Sequence, residues 1–435
     1  MKKQIIYSIL FFMVIGSSVA QQTPASKQTT AFSIEGATAH LGDGTVIDDS
    51  LIMFADGKIT FVGSAKMRIA RSGTIINAKG KHVYPGFIAA NSTLGLGEID
   101  AVKASVDFRE IGTMNPHIRS LIAYNAESKV IESMRPNGVL MGQITPRGGR
   151  ISGTSSVVQF DAWNWEDAAM KVDGGVHMNW PRSISFGRWW LGEDPAAKPN
   201  KRYAKNITDL VDYVNTAKDY LKGSKSPKNL ELEALGGLLD GSKKLYIHTH
   251  GEKEITDAVL FANKFGFKLV IVGGDNAYKV ADLLVKNKVP VILERAHRIP
   301  SGDDSDYDFS YKLAKLLLDK GIVVAVGMDG QMERMNTRNL PFYVGTYAAH
   351  GIDKEEALKM ITSNSAKILG VDDKVGTLTV GKDATLFISQ GDALDMRGNI
   401  ISNAFIQGRK LSLETHQTKL WKRYSKKYKD EKKSK

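Results

Sequence analysis

The stretch that decides the fold is KHVYPGFIAANSTLGLG, residues 81–97. Val83 to Ala90 forms an apolar run with one turn signal inside it, Pro85-Gly86, and it stops at Asn91, Ser92 and Thr93. An apolar run of this kind predicts a strand buried on both faces, ending in a polar tip. Strands of that type occur where helices cover a parallel sheet on both sides.

The chain downstream repeats the pattern. KLYIHTH (244–250), FKLVIVGG (267–274), VPVILERAH (289–297) and GIVVAVGMDG (321–330) all read as strands. Between them, Ile255, Ala258, Val259 and Ala262 fall at helical spacing, and Ala277–Val285 and Leu313–Leu318 read as helices. Asp353 with Glu356 makes a capping box for a helix running to Leu369, with Gly370 as its stop. Residues 81–369 therefore have the size of an eightfold β/α barrel, about 250 residues with insertions tolerated. Residues 31–80 and 374–411 are instead short alternating strands, with Asp56-Gly57 as a hairpin turn. The expected fold class is α/β: a TIM (β/α)8 barrel over 81–369, with a composite β-sandwich domain built from both chain ends, 21–80 plus 370–411. Residues 160–225 show no clear period and hold five of the six Trp, at 163, 165, 180, 189 and 190. These read as core and lid packing.

The first twenty residues read as a secretory signal peptide. Lys2 and Lys3 precede an apolar run, Ile5 to Ile15, and Ser18-Val19-Ala20 supplies small residues for cleavage. The run is too short to span a bilayer, which needs about 20 residues. The expected location is periplasmic or secreted, and the absence of Cys is compatible with an oxidising compartment. The formal net charge is +12. Residues 419–435, within the basic tail 412–435, hold nine Lys/Arg and two acids, while the body between leader and tail is nearly neutral. That distribution argues against a nucleic-acid groove. It makes the tail a solvated, disordered end, with weak attraction to an anionic envelope surface as the alternative.

In form, residues 81–97 resemble the first barrel strand of the amidohydrolase superfamily, PGxIDxHxHxG. KLYIHTHGEKEITDAV resembles its fifth strand and AVGMDG its eighth. ALKMITSNSAKILGVDDKVGTLTVGKDATLFI resembles the closing segment of the imidazolonepropionase-like branch, which hydrolyses cyclic amides and dipeptides. The resemblance covers the chain to about residue 411.

The resemblance implies a metal site that can be followed residue by residue. The two strand-one histidines are replaced by Asn91 and Thr93, and the strand-six histidine by Gly273. His248, or His250 two residues on, stands at the strand-five position. His177 falls near the strand-four ligand, and Asp329 at the strand-eight aspartate. In the family a divalent metal lowers the pKa of its water from about 15.7 to roughly 7. The strand-eight aspartate then shuttles the proton. Asp329 is thus the candidate catalytic residue, and His248, His250, His177 and Asp329 are the candidate ligands for one Zn, Mn or Fe ion. Asn91, Thr93, Arg295 and His297 are candidate substrate contacts, the last two suited to a carboxylate or carbonyl. The implied function is a hydrolase of non-peptide or cyclic C–N bonds or small peptide-like amides, with a reduced metal site. The alternative is a catalytically inactive amidohydrolase-fold protein that binds a small ligand or an active paralogue. The expected partners are a small molecule and a homo- or hetero-oligomeric relative, with no nucleic acid.

Overall fold

The computed structural model describes residues 23–299, 306–328, 330 and 332–433. The expected leader, residues 1–20, lies outside the described residues.

The N-terminal segment forms β1 (Phe32–His40), β2 (Val46–Ala55), β3 (Lys58–Ser64), β4 (Thr74–Asn77) and β5 (His82–Pro85). Asp56 and Gly57, with φ of 50° and 78°, make the tight turn between β2 and β3. The barrel strands follow: β6 (Phe87–Ser92), β7 (Val139–Ile144), β8 (Ile151–Gln159), β9 (Ala169–Asn179), β10 (Lys244–Thr249), β11 (Leu269–Gly273), β12 (Val291–Leu293) and β13 (Val324–Val326). The chain then returns to the first sheet through β14 (Leu386–Ser389), β15 (Ile401–Ile406) and β16 (Arg409–Lys410). Strands from both chain ends thus join in one hydrogen-bonded path, β16-β15-β14-β5-β1-β2-β3, with β4 beside β1. This β-rich unit has its own core, including Ile34, Ile52, Phe54, Val83, Leu386 and Phe405.

The second sheet runs in chain order from β6 to β13, and a parallel bridge between Ala90 and Gly327 brings its two edges together as a barrel. Its strands are parallel except β8, which is antiparallel to both β7 and β9. The connections before and after β8 are too short for crossover helices, so this part of the barrel is a meander.

Residues 83–93 are two strands, not the single strand expected. β5 pairs with β14 in the terminal sheet, whereas β6 pairs with β7 in the barrel. The break is at Gly86, whose N–H donates to Thr385 O while the next N–H, of Phe87, donates to Gly138 O. A side chain at Gly86 would meet Thr385 Cγ2 at 2.9 Å and Leu140 Cδ1 at 3.0 Å. Glycine lets the chain pass between the two sheets there without displacing the Thr385 and Leu140 side chains.

Three other expectations change. The helix expected from Asp353 to Leu369 is two helices, Lys354–Lys359 and Ser363–Leu369, because Thr362 leaves helical geometry and its hydroxyl donates back to Leu358 O. The basic tail is ordered as a helix, His416–Lys433, rather than disordered. Of the five clustered Trp residues, Trp180 is core, but Trp163, Trp189 and Trp190 are 64–71% exposed.

Candidate functional site at the barrel mouth

The seven parallel strands deliver their polar tips to one end of the barrel, where a TIM-type fold places its chemistry. β6 carries Asn91 and leads to Thr93, β7 leads to Arg147, and β9 carries His177. His248 lies on β10 with His250 just beyond it, Asp275 follows β11, and Glu294, Arg295, His297 and Arg298 follow β12. Asp329 lies outside the described residues. A short helix, Glu333–Asn336, closes this end with Glu333 and Arg334.

Asn91 and Thr93 are buried, and each is occupied by charged neighbours. Arg147 donates through Nη1 to Asn91 Oδ1 (3.1 Å) and through Nη2 to Asn91 O (2.9 Å). Its Nη2 also donates to Glu333 Oε2 (3.1 Å). Glu333 Oε1 accepts from Thr93 N (3.0 Å) and from the Thr93 hydroxyl, which in turn accepts from Arg334 Nη1 (3.1 Å). Asn91 has a left-handed φ of 50°, and its Nδ2 is buried with no hydrogen-bond partner among the described residues. Asn is one of the few residues that adopts this conformation with modest strain.

The histidines separate into two groups. His177 is fully buried, stacked on Tyr246 at 4.7 Å, and bonded through Nδ1 to His248 Nε2 (2.9 Å). Its Nε2 meets Ser155 Oγ at 2.8 Å, and Gln143 links Ser155 back to the Asn91 N–H. Burial, with His248 and Arg147 nearby, holds the His177 pKa well below the usual range, so the ring is neutral. His250 lies apart, 3.3 Å from Asp275 and 3.6 Å from Glu294. Arg298 forks onto the Asp275 carboxylate at 2.7 and 3.0 Å.

His250 and Asp275 supply a pH prediction. The hydrogen bond to Asp275 raises the His250 pKa against the opposing effect of burial, with Glu294 adding to the rise. For Asp275, burial pushes the carboxyl up, but bonds from His250 and Arg298 outweigh it and hold the group well below the usual carboxylate range. The histidine contribution is complete below its unfolded pKa of about 6.5 and is lost as pH rises through the raised value. The aspartate contribution is complete above about pH 4 and is lost as pH falls through its depressed value. His250→Asn should therefore cost most between about pH 4 and 6.5, and no more than about 1 kcal/mol because His250 is nearly half exposed. Urea unfolding across pH checks this, and a difference that does not vary with pH would refute it.

His297 turns toward the helix Leu340–Ala349. Its Nε2 meets Thr346 Oγ1 at 2.7 Å, and its ring stands edge-on to Tyr343. Arg295 is half-buried and has no hydrogen bond or ion pair among the described residues. The sequence reading missed Arg147 and Glu333. A charged residue just beyond a barrel strand was the available signal for Arg147.

The described residues do not fit a divalent metal. No group of three or more His, Asp or Glu among them is placed to hold one. His177 and His248 are bonded to each other. The strand-one oxygens of Asn91 and Thr93 already face the guanidinium groups of Arg147 and Arg334. The one carboxylate beside those oxygens, Glu333, is already engaged by Thr93 and Arg147, so a metal there would meet neutral oxygen donors whose neighbouring charges are paired with each other.

The model of the Amidohydrolase family matches residues 243–414. Among curated proteins, the chain is 20% identical over 403 residues to the amidohydrolase tasK of Hapsidospora irregularis, covering 86% of this chain and 40% of that protein. It is 22% identical over 375 residues to an adenine deaminase of Clostridium botulinum, covering 83% of this chain and 54% of that protein. The chain thus spans about half the length of these two relatives or less. Among solved structures, an amidohydrolase from Thermotoga maritima superposes with a TM-score of 0.75 at 25% identity, covering 88% of this chain and 99% of that one.

Proposed function

We propose, for a chain that belongs to the amidohydrolase superfamily, that its barrel mouth binds a small amide- or carboxylate-bearing molecule without assembling a binuclear metal centre. Members of the superfamily generally bind a divalent metal. The observation that carries the proposal is the pair of guanidinium groups at the strand-one positions, Arg147 on Asn91 and Arg334 on Thr93. Two donors remain to receive a ligand. Among the described residues, Asn91 Nδ2 is buried without a hydrogen-bond partner and Arg295 is half-buried without a counterion. An unpaired buried donor costs about 1–3 kcal/mol, which a ligand carbonyl or carboxylate would recover. Arg295 would take a carboxylate through its two-pronged fork.

A second reading, hydrolysis of a C–N bond at a one-metal site, is favoured by the likeness to a deaminase and to amidohydrolases. It would use His248 and Asp329, with Asp329 moving the proton.

Metal analysis and calorimetry separate the readings. We expect purified protein to hold less than stoichiometric Zn, Mn or Fe and its thermal unfolding to be unmoved by added Zn. Screened against N-acyl amino acids and cyclic amides, it should bind members of one class without turnover, and Arg295→Ala should weaken a carboxylate ligand by roughly tenfold or more, the worth of a charged hydrogen bond. One equivalent of metal, lost in His248→Ala, together with release of ammonia or amine from such a substrate, would overturn the binding reading in favour of the hydrolase.

A further inference from the structure

The helix His416–Lys433 stands outside both cores, and neither reading of the barrel mouth uses it. Its start is tied down, and Lys422 Nζ donates back to Glu414 Oε1 (2.8 Å). Leu411 is buried and Leu413 half-buried against the barrel core, and the His416 N–H donates to Glu132 Oε1 (2.8 Å). Beyond that anchor, Trp421, Tyr424 and Tyr428 are 68%, 50% and 57% exposed. They are spaced three and four residues apart, so they share one face of the helix, with the half-buried Leu420 beside them. Lys419, Lys422, Lys426 and Lys429 project on the other side at the same helical spacing. Arg423 and Lys427 border the aromatic face, lying 5.2 Å and 5.5 Å from the ring centres of Tyr424 and Tyr428. From His416 to Asp430 the helix has six Lys/Arg and one acid.

We infer that this helix docks flat on an anionic phospholipid surface, with its aromatic face in the headgroup region and its lysines reaching the phosphates. A helix with aromatics on one face and cations on the other is built for the plane of a membrane interface. Trp and Tyr settle at headgroup depth because their rings are apolar with one polar tip. The bordering Arg and Lys can lay their apolar stems along the surface and keep their charges at the phosphates. Charge complementarity selects an anionic bilayer over a neutral one. Among the described residues no helix is long and apolar enough to cross a membrane. A nucleic-acid duplex offers no headgroup layer for the exposed Trp and Tyr rings, whereas a membrane interface does.

The test uses the full chain and vesicle flotation. It should float with vesicles of equal parts phosphatidylcholine and phosphatidylglycerol and stay behind with phosphatidylcholine alone, and salt should release it. Lys422→Gln with Lys426→Gln should weaken binding by roughly 25-fold, about fivefold for each cation. Trp421→Ala should weaken it by at least several-fold. These side chains are exposed, so thermal unfolding should match that of the native chain in both variants. No flotation, flotation unaffected by either variant, or binding to a DNA duplex in place of the vesicles would overturn the inference.

Discussion

Replacing Glu333 by alanine should destabilise the chain by about 3–5 kcal/mol, a large share of the 5–15 kcal/mol typical of a folded protein. Glu333 is 5% exposed and joins three parts of the sequence at the barrel mouth. Its carboxylate accepts from the backbone and hydroxyl of Thr93 on the β6 side and from Arg147 beyond β7. Alanine would take the Glu333 carboxylate from the Arg147 guanidinium, whose side chain is 14% exposed and which keeps its bonds to Asn91. It would also strand the buried Thr93 N–H. Stranding a buried charge is the costly way to break an ion pair, because the surviving partner keeps its desolvation penalty. Glu333→Gln retains an acceptor for Thr93 and loses only the charge, so its cost should be smaller, about 1–3 kcal/mol. Urea unfolding of the two variants decides the matter. A loss in Glu333→Ala within about 0.5 kcal/mol, as for an ordinary surface change, would mean that Arg147 is satisfied by water and that the strand-one positions are not locked.

That lock explains what the sequence could and could not disclose. The barrel was readable because its strands are apolar on both faces, as LVIVGG and VAVG are, and because the closing segment through GKDATL is long. The hairpins between β7, β8 and β9 were hidden. VLMGQI and ISGTSSVVQ flank PRGG, a strong turn, but their length and burial do not reveal the antiparallel direction. The break at Gly86 was hidden for a similar reason, since apolar residues continue on both sides of it into two different cores. At the site, the strand patterns place Asn91, Thr93 and Gly273 at strand ends, and reading them as standing where histidines are expected rests on the resemblance to the amidohydrolase pattern. The side chains that bond to Asn91 and Thr93 could not be read from the sequence. Arg147 is 56 residues from Asn91, and Glu333 is 240 residues from Thr93. No local pattern connects residues so far apart, and only closure of the barrel brings them together. The tail helix is the opposite case. Its aromatic residues at 421, 424 and 428 carried a helical period that the density of lysine masked.

Phe387→Ala should cost about 3–5 kcal/mol and should weaken the joint between the terminal sheet and the barrel. Phe387 lies on β14, where side chains alternate between two cores. Leu386 and Ile388 enter the core of the terminal sheet, while Phe387, fully buried, enters the barrel core. There it stands edge-on to Phe87 at 4.9 Å and stacks against Tyr84 at 5.5 Å. These two residues flank the crossover at Pro85-Gly86, so the ring braces the point where the chain leaves one sheet for the other. Gly138 closes the far side with a left-handed φ of 81°, and a Cβ there would meet the ring at 2.6 Å. The backbone is drawn in against Phe387, leaving little room for the cavity to collapse, which places the cost toward the upper part of the range for Phe→Ala. The loss should also reach the site, because Phe87 begins the strand that carries Asn91 four residues later. Phe387→Ala is therefore expected to raise amide exchange along β5 and β6 in the native state, as well as lowering the urea midpoint. A lowered midpoint with unchanged exchange in β6 would confine the effect to the terminal sheet and disprove the bracing role. Phe387→Leu, which fills part of the volume, should recover a portion of the stability and restore protection in β6 if the joint depends on packing.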